Sequence, residues 1–250
     1  MNKRFLAKVA LFIAINSYAF AQLPVSLSGS LNGGLLIPQS TDLKGKFSDS
    51  HNFPLSKTSY NVGGKLRYNI APLPINIVGL LSYNSLTDNS DLTIVGGPNG
   101  PVTTNYTFSF SILSAGVGIE YSIDLFPIFK PYLGSDLVSN IISGSGGDSK
   151  HYFPDAKMNS TTRFGINFEA GVLMELPSLP ISFDIGLKYC LANAIGKKFT
   201  SVSYPSDGYG WLPQNAVYYL NDAKNPNDSY DHDRSIDFVT INIGIVFKII

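Results

Sequence analysis

Charge is scarce in this chain of 250 residues. Asp, Glu, Lys and Arg make up 14% of it, against roughly 25% in ordinary soluble domains, so the usual charged surface of a soluble protein cannot be built. Cysteine is nearly absent: Cys190 stands alone, which excludes an intrachain disulfide and a cysteine-based metal site. Beyond the first residues there is no long apolar run, which excludes helical membrane spans of ~20 residues. A basic excess is missing too, with 18 Lys+Arg against 18 Asp+Glu, so the electrostatic footprint of a nucleic-acid binder is absent.

The N-terminus carries the one apolar stretch. Lys3 and Arg4 precede the mostly apolar Phe5 to Ala14, and Ala19-Phe20-Ala21 supplies small residues before Gln22, the pattern of a cleaved export signal. A membrane anchor is the competing reading, but Lys8 and Asn16-Ser17 interrupt the run. The expected organisation is a signal peptide over 1–21 and one domain over 22–250. Removing the signal takes Lys3, Arg4 and Lys8 and no acid, so the mature net charge is −3.

What is abundant is glycine (23), phenylalanine (16) and tyrosine (14), distributed over alternating segments. From Arg163 to Tyr189 the pattern is clearest. Phe164, Ile166, Phe168, Ala170, Val172 and Met174 alternate with Arg163, Gly165, Asn167, Glu169, Gly171 and Glu175. After Pro177-Ser178-Leu179-Pro180, Ile181, Phe183, Ile185, Leu187 and Tyr189 alternate with Ser182, Asp184, Gly186 and Lys188. Period-two alternation across a tight turn is a β-hairpin with one apolar face, and a four-residue turn sets Glu169 opposite Lys188.

The same pattern recurs over Val25 to Ile37, Tyr60 to Ile70, Ile75 to Tyr83, Tyr106 to Tyr121, Tyr132 to Ile142 and Val239 to Phe247. Within 106–121 the apolar phase changes from Tyr106, Phe108, Phe110 and Ile112 to Leu113, Ala115, Val117 and Ile119, which predicts a β-bulge near Ile112-Leu113. In the fifth strand Leu133 and Leu137 compete with Tyr132 and Val138 for the apolar face. Eight strands result, joined by short connections at 71–74, 122–130 and 177–180 and long ones at 38–57, 86–104, 143–159 and 193–234. Leu73-Pro74-Ile75 with Leu81 and Tyr83 recurs as Leu179-Pro180-Ile181 with Leu187 and Tyr189. An even number of antiparallel strands with short turns at one end and long loops at the other is the pattern of an all-β, up-and-down transmembrane β-barrel with periplasmic turns and extracellular loops.

A lipocalin-like soluble barrel shares the alternation. The loop asymmetry, the Gly, Ser and Asn on the polar face, and aromatics near strand ends favour a lipid-facing apolar side instead. Tyr68, Tyr121, Phe183 and Phe247 would form one girdle, and Tyr60, Tyr83, Tyr106, Phe164 and Tyr189 the other. The interior then receives Lys65, Arg67, Arg163, Lys188 and Lys248 together with Glu120, Glu169, Glu175, Asp184 and, in one phase of strand five, Asp136. Eight strands enclose only enough space for side chains, so these charges are expected as interior ion pairs, not a channel lining.

With Pro131-Tyr132-Leu133-Gly134 opening strand five and an alternating last strand, the chain resembles the OmpX family and the membrane barrel of OmpA. That resemblance implies a small bacterial outer-membrane barrel. Two departures stand out: Lys248-Ile249-Ile250 follow Phe247 where an aromatic end is usual, and no cell-wall-binding domain follows.

Candidates for chemistry are few. His51, His151 and His232 fall in long loops, where a Ser, His and acid at the rim would make an acyl-transfer site, yet no fixed spacing of the three is visible. Asp222, Asp228, Asp231 and Asp233 offer oxygen ligands for Ca²⁺ in a spacing unlike an EF-hand, and solvated surface is the simpler reading. Tyr204, Tyr209, Trp211, Tyr218, Tyr219 and Tyr230 share that loop and suit packing over the barrel mouth ahead of recognition. Cys190 is expected to point inward near the loop end. The reading is a monomeric, non-enzymatic outer-membrane protein, structural or engaged in surface interaction through its loops, with no catalytic residue, cofactor or metal. Expected partners are outer-membrane lipids and lipopolysaccharide, the barrel-assembly machinery and an extracellular protein or glycan, with no nucleic acid. A lipid A-modifying enzyme and a small-solute channel are the alternatives.

Overall fold

Alternation with a period of two commits each segment to one apolar and one polar face, and a closed barrel is the arrangement that uses both. The computed structural model describes residues 25–39, 59–70, 73–97, 100–123, 128–148, 156–176, 179–200, 217–227 and 232–249. Seven strands follow in order: β1 (Val25–Pro38), β2 (Ser59–Ile70), β3 (Ile75–Gly97), β4 (Gly100–Ser122), β5 (Phe129–Asp148), β6 (Ala156–Glu175) and β7 (Ile181–Ile195). A two-residue β8 (Val217–Tyr218) and then β9 (Asp237–Lys248) complete the chain. Each barrel strand pairs antiparallel with its neighbours, and β9 pairs with both β7 and β1. This closes an eight-stranded up-and-down barrel and removes its sheet edges. The short β8 lies parallel to Lys157–Met158 of β6.

The faces separate by exposure. Leu31, Leu66, Val117, Leu137, Phe168, Leu187 and Ile243 are exposed on the outside, while Ser30, Lys65, Arg67, Asp136, Glu169, Lys188 and Asn242 are buried within. An apolar band wrapping the whole cylinder far exceeds the patches a soluble monomer exposes, and it matches a lipid contact surface. The barrel is therefore transmembrane. β2 and β9 have 12 residues each, enough for the ~9–11 of a tilted spanning strand.

Two connections at one end close with the same backbone hydrogen bond. The Leu73 N–H donates to the Ile70 carbonyl at 2.7 Å and the Leu179 N–H to the Leu176 carbonyl at 3.0 Å. The two copies of the Leu-Pro-Ile segment thus follow the same turn bond.

Three sequence expectations need correction. First, the connections at 86–104 and 143–159 are largely strand: β3 and β4 each run 23 residues and pair up to Gly97 and Gly100, and β5 and β6 pair up to Gly146 and Ala156. Their Gly, Ser, Thr and Asn content reads as loop, but strand pairing past the lipid-facing band needs no apolar face, and at 144–146 β5 is paired with both β4 and β6. Second, no bulge lies at Ile112-Leu113, because the registers of β4 with β3 and β5 run unbroken through it. Instead Phe110 and Ile112 are buried inside and Leu113 is exposed outside. The apolar phase changes because the interior itself turns apolar there. Third, Lys248 is exposed at the turn end, with only 3.7 Å to a half-buried Glu175, since its position in β9 lies beyond the filled interior. In strand five Leu133 and Leu137 take the outside, and Tyr132, Asp136 and Val138 the inside.

Candidate functional site

The interior is built in layers, each set by the inward residues that successive strands bring to one height. Near the turn end, Asn69 donates to Asn76 at 3.0 Å and Asn76 to Ser122 at 3.2 Å. The next layer is ionic. Lys65 Nζ lies 3.0 Å from Glu120 and 2.5 Å from Glu169. Arg67 donates from Nε to Glu120 and from Nη2 to Asp184, both at 2.6 Å. Lys188 Nζ is 3.3 Å from Glu169 and 4.0 Å from Asp136. The Glu169↔Lys188 register between β6 and β7 sets that pair side by side.

Tyr132 sits at the centre of this layer. Its hydroxyl has Asp184 at 2.8 Å and Glu169 at 2.9 Å as acceptors. Lys65 and Arg67 lie 5.5 and 5.4 Å from its ring centroid, within cation–π range. Two glycines give it room. A Cβ on Gly171 would stand 2.5 Å from the Tyr132 hydroxyl oxygen, and one on Gly186 2.9 Å from it. The ring thus packs against bare backbone of β6 and β7.

Above the ions lies a polar collar of Asn61, Ser82, Asn84, Ser114, Asn140 and Asn167. Then follows an apolar plug in which Leu36, Leu86, Phe110, Ile112, Ile142, Met158, Ile236 and Phe238 pack with Cys190, Ala192 and Leu220. Leu220 comes from the long connection after β7. Gly196, at φ 89°, opens that connection in a left-handed conformation suited to glycine.

The mouth is closed by a latch from the same segment. Asp222, fully buried, accepts from Arg163 Nε at 2.9 Å and Nη2 at 2.8 Å. It also accepts from Asn193 Nδ2 and the Lys198 N–H, both at 2.9 Å. Asn193 Oδ1 accepts the Ile236 N–H at 2.8 Å, and Arg234 Nη1 donates to the Asn221 carbonyl at 2.6 Å. A charge this deep needs several donors to offset its lost hydration, and Asp222 has four.

Of the interior charges named from sequence, Lys65, Arg67, Glu120, Glu169, Asp184 and Lys188 come together in one buried network. Arg163 is buried at the mouth, bonded to Asp222 and not to a strand carboxylate. Glu175 lies half-buried at the turn end, 3.2 Å from Lys130, with Lys248 exposed beside it. Sequence reasoning takes Asp222 for solvated surface and leaves Tyr132 without a role. Asp222 has no periodic signal because its partners are reached through a long connection. Tyr132 can be found from its inward phase opposite glycine in β6, where Tyr132 pairs with Gly171.

Cys190 is a free, buried thiol in the apolar plug. His232 is exposed, and His51 and His151 lie outside the described residues, as do Asp228, Asp231, Tyr204, Tyr209, Trp211, Tyr230 and the signal segment 1–21. The side chain of Tyr106 is likewise not described. Asp233 is exposed and accepts the Lys224 N–H at 2.7 Å. Among the described residues, no group of three His, Cys, Asp or Glu is placed to hold a metal ion.

No protein-family model matches this sequence, and no curated protein does. Solved structures do. Neisserial surface protein A aligns over 90% of this chain and 98% of its own at 15% identity, with a TM-score of 0.49. Ail, the attachment invasion locus protein of Yersinia pestis, aligns over 89% of this chain and 97% of its own at 11% identity, with a TM-score of 0.36. It does so both alone and in complex with the heparin analogue sucrose octasulfate. At these levels the likeness is one of general shape. The layers themselves establish that this chain is a small eight-stranded transmembrane barrel with a filled interior.

Proposed function

We propose that the protein is a monomeric barrel of the bacterial outer membrane that recognises an extracellular protein or glycan at the cell surface. The observation that carries this reading is the length of the β3–β4 hairpin. Along β2, β3 is paired only from Asn76 to Ser85, and along β5, β4 is paired only from Tyr106 onward. Beyond those points the hairpin continues to Gly97 and Gly100, and the stretch with neither outer neighbour is 91–97 paired with 100–105, about six residues per arm, or roughly 20 Å at ~3.3 Å per residue. In the described part of the chain its two arms pair only with each other there. A projecting ribbon with backbone donors and acceptors along its edges is suited to adding a strand or a ligand.

The ionic layer and the apolar plug favour this over a small-solute channel, since both occupy the cross-section a solute would need. The test is to replace residues 88–106 with a short turn and compare the shortened protein with the intact one, displayed on cells, for binding to immobilised proteins and glycans. Loss of binding with a folded barrel supports the reading. Unchanged binding, or ligand-free ion conductance of the intact barrel in planar bilayers, contradicts it.

A further inference from the structure

Between the ionic layer and the apolar plug, the collar encloses a cavity with room for about one water molecule. Its lining includes Asn61, Asn84, Ser114, Asn140, Asn167 and Lys188. Seven of the eight barrel strands contribute to it, yet it is closed below by ion pairs and above by Phe238 and its neighbours.

Two of the lining groups are unusual. The Oδ1 atoms of Asn61 and Asn140 are buried with no hydrogen-bond partner among the described residues, in residues with relative exposures of 5% and 1%. The orientation of Asn140 is fixed, because its Nδ2 donates to the Ala192 carbonyl at 2.7 Å. Its oxygen is therefore the end left to be satisfied. Buried polar atoms are almost always paired. What remains unpaired here is acceptors, and the ligand must be a donor.

Lys188 narrows the choice. Its ammonium lines the cavity and is 3.3 Å from Glu169 but 4.0 Å from Asp136, whose Oδ2 also lacks a hydrogen-bond partner. A gap of that size between charged groups is one a water commonly spans. The buried cluster holds Glu120, Asp136, Glu169 and Asp184 against Lys65, Arg67 and Lys188, so a monovalent cation would suit its overall charge. Next to the ammonium, however, a cation is repelled, and a water is not. We propose that the collar is a sealed internal hydration site, in which a water donates to Asn61 and Asn140 and completes the shell of Lys188.

The test uses the protein in phospholipid nanodiscs, with water-to-protein NOE measured at the side-chain amides of Asn61 and Asn140. A long-lived water giving cross-peaks to both is expected. In an Asn61→Leu variant that still shows the gel-mobility shift of a folded barrel, the Asn140 cross-peak should weaken severalfold, because the water has one acceptor fewer. The wild-type measurement stands even if that variant does not fold. Absence of the cross-peaks in wild type, or an unchanged Asn140 signal in folded Asn61→Leu, overturns the site. So does a shift of these amide resonances when sodium replaces choline in the buffer, which would make the occupant a cation.

Discussion

Arg163 on β6 and Asp222, in the connection between β7 and β9, form a two-bond ion pair at 2.9 and 2.8 Å inside the mouth of the barrel. Neither is exposed, and Asp222 also accepts from Asn193 and the Lys198 N–H. One carboxylate therefore ties a strand, the end of β7 and the returning segment into one unit, and it delivers Leu220 to the apolar plug.

Asp222→Ala should cost about 3–5 kcal/mol, the range for leaving one partner of a buried ion pair uncompensated. The loss should be local as well as global. Limited proteolysis of the protein in vesicles should cut within 217–227 far faster than in wild type, while the gel-mobility shift of the folded barrel remains. Unchanged protection of that segment would mean that the latch does not hold it.

The glycines of β6 and β3 give a paired test. Gly171→Ala pushes a methyl to 2.5 Å from the Tyr132 hydroxyl oxygen and 2.7 Å from the Ile185 carbonyl, so overpacking should cost about 1–3 kcal/mol. Gly79→Ala meets nothing within 4 Å and should change stability by no more than ~0.5 kcal/mol. Denaturant unfolding of both variants in vesicles, compared with wild type, measures the difference. Equal effects would remove Tyr132 from the account of why β6 carries glycine.

Glu169 and Lys188 should be coupled. Glu169→Leu strips Lys65 and Lys188 of a shared acceptor and should cost about 3–5 kcal/mol, and Lys188→Leu should cost a similar amount. The double variant should recover part of this, with a coupling energy of about 0.5–3 kcal/mol in a double-mutant cycle. Strict additivity would mean that the 3.3 Å contact carries no energy of its own.

Much of this architecture is written in the alternation. The strands, the proline turns, and the facing of Glu169 and Lys188 all follow from period-two patterning, because one residue of slip would reverse every side chain. Part of what the pattern hides comes from the assumption that apolar means outward. Phe110 and Ile112 break it because the loop-end interior is filled by an apolar plug, and that change of phase looks identical to a bulge in sequence. The extended β3–β4 hairpin is hidden because strands outside a membrane need no apolar face. Asp222 is hidden because a contact formed through a long connection leaves no periodic trace.

The most direct test of the barrel as a lipid-facing cylinder with a closed polar interior is a scan along β7 from Ser182 to Cys190. In a Cys190→Ser background, each residue is replaced singly by a spin-labelled cysteine and measured by EPR in bilayers. The account predicts high oxygen accessibility at Phe183, Ile185, Leu187 and Tyr189. It predicts low accessibility to both oxygen and a water-soluble relaxant at Ser182, Asp184, Gly186 and Lys188, wherever the labelled protein folds. Oxygen accessibility in the opposite phase, or strong access of the water-soluble relaxant to the Asp184 and Lys188 sites, would contradict it.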